Sequence, residues 1–219
     1  MRSAIPPYGG GSIGTHTNET VELLKAWAAT SLAFGIFLAR GNIIDIWPFL
    51  QFLVIAGVTC GVGVVVHELA HRVVARHFGA SAHFLASEVV FLVLPIFLAF
   101  LGVFIAAPGA VWYTGSLTRK QGGLIALAGP VSNLVLAVLF LLLCLLVLPT
   151  GNIFLITGAM AGYKINAFLG LFNMIPVGVL DGAKVFRWDK TVFGVTIGIA
   201  LVMVILDWSG TLWQVVFGR

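Results

Sequence analysis

Charge is scarce in this 219-residue chain, at 9% of residues, where a water-soluble domain carries about 25%. A surface that poor in charge could not stay dissolved, which excludes a soluble enzyme, a disordered tail and a secreted scaffold. Cysteine is scarcer still: Cys60 and Cys144 both fall inside apolar runs and read as small core residues, not as a disulfide or a metal pair. The twelve Lys and Arg outnumber the eight Asp and Glu but are scattered. No basic stripe interleaved with aromatics is present, so nucleic acid is not an expected partner. No repeat of fixed period and no low-complexity tract appear. The opening residues lack the apolar h-region of a cleaved signal peptide, so none is expected. What abounds is apolar: 60% of the residues, with a mean hydropathy of +1.08.

That composition describes a polytopic membrane protein. Six apolar stretches stand out, at roughly 23–39, 47–75, 89–107, 124–148, 160–181 and 192–208, several near the roughly 20 residues that cross a bilayer as a helix. Trp27, Trp47, Trp112, Trp188 and Trp208 mark their ends as interfacial anchors. The linkers leave no room for a second folded unit, so residues 1–219 are expected to form a single membrane-embedded domain. Asn18 or Thr20 can cap the first helix. Gly57 and Gly61 form a small-xxx-small pair that lets another helix approach the second.

The chemistry is concentrated in that second stretch, which contains His67-Glu68-Leu-Ala-His71. Residues four apart project from one helical face, so the two imidazoles can hold Zn²⁺ while Glu68 takes a proton from bound water. The bland alternative is a pair of core histidines. Against it stands the cost of ionisable groups in hydrocarbon, which makes such residues functional candidates by default. A catalytic zinc needs a third protein ligand and one open position. Glu19, Glu22, Asp45, Asp189 and Asp207 sit in tails, loops or span ends, and Glu88 just before an apolar run. Asp181 closes the fifth stretch, where Pro176 and Gly182 are expected to break the helix and turn the carboxylate inward. Asp181 is the preferred ligand, Glu88 the next. His16, His77 and His83 fall in polar segments.

Three motifs together, His67-Glu68-Leu-Ala-His71, Gly129-Pro130-Val-Ser-Asn133 and Asn173-x-x-Pro176 through Leu180-Asp181-Gly182, resemble the site-2 protease family of intramembrane zinc metalloproteases. They occur in that family's order. The resemblance implies one zinc per chain held by His67, His71 and Asp181, Glu68 as general base, and a transmembrane protein as substrate. It also places Asn133 at the active site, where its amide either donates to the developing oxyanion or serves as a helix-packing amide. The resemblance also makes Asn173 an expected second polar support for the same cleft. The family often has a proline just before Leu-Asp-Gly, where this chain has Gly178 and Val179. With no room for a PDZ-like domain or a C-terminal regulatory domain, the chain resembles a minimal catalytic core.

Shared ligation constrains the topology. If all six stretches crossed, the ends of the second and fifth would lie on opposite sides of a core about 30 Å thick, far beyond the reach of one metal. One intervening stretch must fail to cross. Residues 89–107, interrupted by Pro95 and Gly102, are expected to re-enter instead, giving five true spans. Charge agrees: five spans gather nine Lys and Arg on one side against two on the other, Lys164 aside. That bias points to a cell membrane with the active site toward the cytoplasm. Lys164 is expected to snorkel to the outer interface from a helix beginning near residue 160.

Residues 110–118, which include Val111, Trp112 and Tyr113, read either as a short strand or hairpin near the metal or as an interfacial loop, and Arg119 to Gly123 as a turn. A helical substrate must unwind before it is cut, and an edge strand could hold the unwound segment by strand addition. The expected architecture is thus all-α and polytopic, with five to six hydrophobic segments and one short β element. Its expected activity is peptide hydrolysis in or near transmembrane segments. The alternatives are a catalytically silent membrane-protein binder, a transporter on the same scaffold, or a zinc hydrolase of lipid-like esters. The oligomeric state is not encoded in any motif.

Overall fold

A computed structural model describes residues 18–86, 89–105, 109–114, 116–210 and 214. Asn18 starts α1 (Glu19–Leu38) by accepting from the Thr20 amide at 3.0 Å, which satisfies one of the orphan donors of a first turn. The second span is one continuous helix built from α2 (Ile46–Ala56), a π turn at Gly57–Gly61 and α3 (Val62–His77). Then follow β1 (Ser81–Ala86), α4 (Val89–Phe100), β2 (Gly109–Thr114), α5 (Arg119–Val147), α6 (Ile153–Asn173), α7 (Asp181–Trp188) and α8 (Lys190–Trp208).

Among the described residues five helices are long and apolar enough to cross a membrane: 19–38, 46–77, 119–150, 153–173 and 190–208. The protein is a multi-pass, helical membrane protein. The stretch that parity singled out forms α4, whose 12 residues rise about 18 Å, well short of a bilayer core of about 30 Å.

The π turn lies where the second span crosses α1. A Cβ on Gly61 would strike the Ser31 hydroxyl and the Trp27 ring, and the Trp27 indole donates to Gly57 O at 3.0 Å. The small-residue pair therefore seats α1, as expected. Cys60 packs beside Phe34, Val64 and Ile165, and Cys144 beside Ile156 and Met160, both as free buried thiols.

Several boundaries differ from the sequence reading. Residues 119–123 are not a turn but the opening of α5, because Thr118 and Gln121 close a reciprocal capping box. Likewise α6 begins at Ile153, capped by Asn152, and not near 160. Lys164 therefore sits in mid-helix, and its charge is met at 3.1 Å by Asp207 near the end of α8. Gly182 does not break a helix. It lies within α7, where a Cβ would collide with the Met174 carbonyl.

The β element is an antiparallel pair whose register sets Ser81 opposite Thr114 and His83 opposite Trp112. The first strand was not anticipated. Its outer edge is covered: the Phe84 amide donates to Glu19 Oε1 at 3.1 Å, and Arg76 donates to Ala82 O at 2.9 Å. Glu19 also pairs with Arg72 at 3.1 Å, tying strand, α1 and α3 together. In an antiparallel ladder the N–H and C=O of one residue point the same way. Since Ala82 and Phe84 face outward, their partners Tyr113 and Val111 present backbone groups at the far edge of β2. No third strand joins the sheet among the described residues.

Candidate metal centre

The site forms where α3, α5 and the start of α7 meet. His67 and His71, one turn apart on α3, are both buried, as are Glu68 and Asp181. Helix α6 ends at Asn173, and the segment around Pro176 returns the chain so that Asp181 becomes the first residue of α7, aimed back at α3. The ligand atoms form a triangle. The two Nε2 atoms lie 3.0 Å apart, and Asp181 Oδ2 lies 3.3 Å from His67 Nε2 and 3.0 Å from His71 Nε2.

The histidine tautomers follow from the far sides of the rings. His71 Nδ1 lies 2.7 Å from Ile125 O, which can only accept, so Nδ1 carries the proton. His67 Nδ1 lies 2.6 Å from Asn133 Oδ1 and is the donor in the same way. In neutral rings both Nε2 lone pairs then face each other and the Asp181 carboxylate. Three electron-rich atoms so close repel one another unless a cation lies among them.

Zinc fits that requirement. Tetrahedral ligands about 2.0–2.1 Å from the metal stand about 3.3 Å from each other, near the observed edges. Two imidazoles and one carboxylate are a catalytic zinc donor set, and partners on the outer ring nitrogens are the usual support. Gly129 completes the cradle: a Cβ there would fall on both Nε2 atoms, filling the space between them. Asp181 is well suited to ligate. The Lys184 ammonium beside it favours its charged form. Lys184 reaches Oδ1 at 3.3 Å, leaving Oδ2 to the histidines.

The structure thus brings together His67, His71, Asp181 and Asn133, and places the buried Glu68 beside the first of them in sequence. The role of Asn133 is more specific than either reading from sequence. Both amide hydrogens are engaged, by Gly63 O at 3.1 Å and Asn166 Oδ1 at 3.0 Å, so none is left for an oxyanion. Asn133 instead buttresses His67. Asn173 spends its amide on Leu169 O of its own helix at 3.0 Å. Val111, Trp112 and Tyr113 form the middle of β2, which lies against α3, and their side chains are outside the described residues. Glu88 and His16 are also outside them. Gly129 and Lys184 were missed. Gly129 stood in a motif already noted, and Lys184 one helical turn beyond Asp181.

Fold and site together define a polytopic membrane protein with a buried His-His-Asp cluster that could hold a metal ion. The chain is 39% identical over 160 residues to the "Putative zinc metalloprotease MJ0611" of Methanocaldococcus jannaschii, covering 71% of this chain and 82% of that one. It belongs to that protein's family, which the relative's name places among the zinc metalloproteases. No family model and no solved structure matches the chain.

Proposed function

We propose that the protein is an intramembrane zinc metalloprotease of the site-2 type, a single catalytic domain that cuts peptide bonds in or near transmembrane segments of other membrane proteins. The observation that carries this reading is the convergence of three lone-pair-bearing atoms, buried among helices long enough to span a bilayer, with Glu68 beside them in the chain. His67, His71 and Asp181 would hold one zinc. When bound, it supplies a Lewis acid that acidifies water and polarises a carbonyl.

The chain's own residues do the rest. Glu68 accepts the proton of the attacking water and returns it to the leaving amine. Asn133 and Ile125 O keep both Nδ1 protons in place, and Lys184 occupies the second oxygen of Asp181. A substrate helix must expose its scissile amide before attack, and the far edge of β2 supports the means. Val111 and Tyr113 offer alternating backbone donors and acceptors, to which an unwound segment adds as a strand. The excess of Lys and Arg on the side where α3 and α6 end supports a site that faces the cytoplasm from a cell membrane.

The test is cleavage by purified protein in detergent of a membrane-protein fragment that contains one transmembrane segment. Cleavage within or beside that segment, stopped by a chelator and restored by stoichiometric zinc, is the expected result. Hydrolysis of lipid esters without peptide cleavage would overturn the reading.

A further inference from the structure

Asn133 is itself held by a residue that the sequence motifs do not mark. Asn166 lies on α6 with its side chain fully buried, where a carboxamide needs acceptors for two hydrogens and a donor for its oxygen. Its Nδ2 donates to Gly162 O at 2.9 Å and to Thr59 O, in the π turn, at 3.4 Å. Both partners are carbonyls and can only accept, so the amide nitrogen must face them and the oxygen must face the other way. That oxygen accepts from Asn133 at 3.0 Å. The second hydrogen of Asn133 goes to Gly63 O, and residue 63 must be glycine because a Cβ would run into the Asn166 carboxamide.

The direction of every bond is now fixed. With its two hydrogens turned toward Asn166 and Gly63, Asn133 can offer only its oxygen to His67. His67 must then carry its proton on Nδ1, with the Nε2 lone pair directed at Asp181 and His71. Without Asn166, the Asn133 amide loses one of the two acceptors that hold it in this orientation. The other amide face would turn a donor toward a donor.

We propose that Asn166 is a positioning residue of the metal centre, which sets the tautomer and orientation of His67 through Asn133 from a helix that supplies no metal ligand. The relay ties the second span, α5 and α6 into one support for the site. This deepens the zinc-protease reading and rests on it.

The test is zinc affinity by competition with a chromophoric chelator, for wild type, Asn166→Leu, Asn133→Leu and the double variant in one detergent. Each single variant is expected to bind zinc about 10–100-fold more weakly, as loss of an outer-sphere partner does. The double variant should bind no more weakly than Asn133→Leu alone, because Asn166 acts through Asn133. The cobalt(II) absorption spectrum of Asn166→Leu should shift in the same way as that of Asn133→Leu. Wild-type affinity in Asn166→Leu, or losses that multiply in the double variant, would overturn the relay. Asn166→Ala takes the same cycle if the leucine variant does not fold. A wild-type protein that binds no zinc would overturn the metal reading itself, whereas wild-type binding with multiplied losses overturns the relay alone.

Discussion

Replacing Glu68 by glutamine is expected to leave zinc binding intact and to lower peptide cleavage by about 10²–10⁴-fold, the span attributed to a positioned general acid–base group. Glutamine keeps the length and the planar head but cannot take up a proton. Glu68 is not one of the three converging ligand atoms, so the metal should survive the change. The measurement pairs metal content with the single-turnover rate on a transmembrane substrate. Cleavage retained at the wild-type rate would remove Glu68 from the chemistry. Zinc lost together with activity would make it a ligand or a support instead of a base.

A single methyl group at Gly129 is expected to be nearly as damaging, by the opposite route. The Cβ of Gly129→Ala would land on the Nε2 atoms of both histidines. Neither ring can swing clear, because each is held from behind, His67 by Asn133 at 2.6 Å and His71 by Ile125 O at 2.7 Å. The helix cannot easily withdraw either, since α5 packs along α6, with Leu134 seated against Gly170. Zinc affinity should fall by more than 10-fold, while overpacking of this kind costs the fold about 1–3 kcal/mol. Gly122→Ala, on the same helix with nothing within 4 Å of the added carbon, is the control and should bind zinc normally. Chelator competition on the two variants decides the matter. Equal affinity in both would show that Gly129 does not wall the site.

Much of this arrangement is legible in the residues. His67, Glu68 and His71 announce themselves by helical spacing in a stretch where charge is costly, and parity then demands that the stretch at 89–107 not cross. That demand agrees with the shortness of α4. Apart from the locally capped starts of α5 and α6, the misread positions depend on partners distant in sequence. Ser81–Ala86 has no strong strand pattern of its own and becomes a strand by pairing with residues 109–114 and by docking on Glu19. Lys164 looks too costly for mid-helix until Asp207 meets it from α8. A break at Pro176 was expected and α6 does end at Asn173, but Gly182, expected to break the helix too, lies inside a further helix that presents Asp181 as its first residue. Asn133 was placed at the site by its motif, but its task depends on carbonyls of α3 and on Asn166 of α6. No local pattern encodes such long-range hydrogen bonds.

Sharing of one zinc by α3 and α7 is tested by metal analysis of detergent-purified protein, with wild type beside Asp181→Ala. The expected result is about one zinc per chain in the wild type and a loss or sharp weakening in the variant, since a catalytic site has three protein ligands. That outcome would also require residues 67, 71 and 181 to share one depth in the membrane. Full zinc occupancy without Asp181 would contradict the three-ligand site. No zinc in either protein after supplementation would contradict the metal centre altogether.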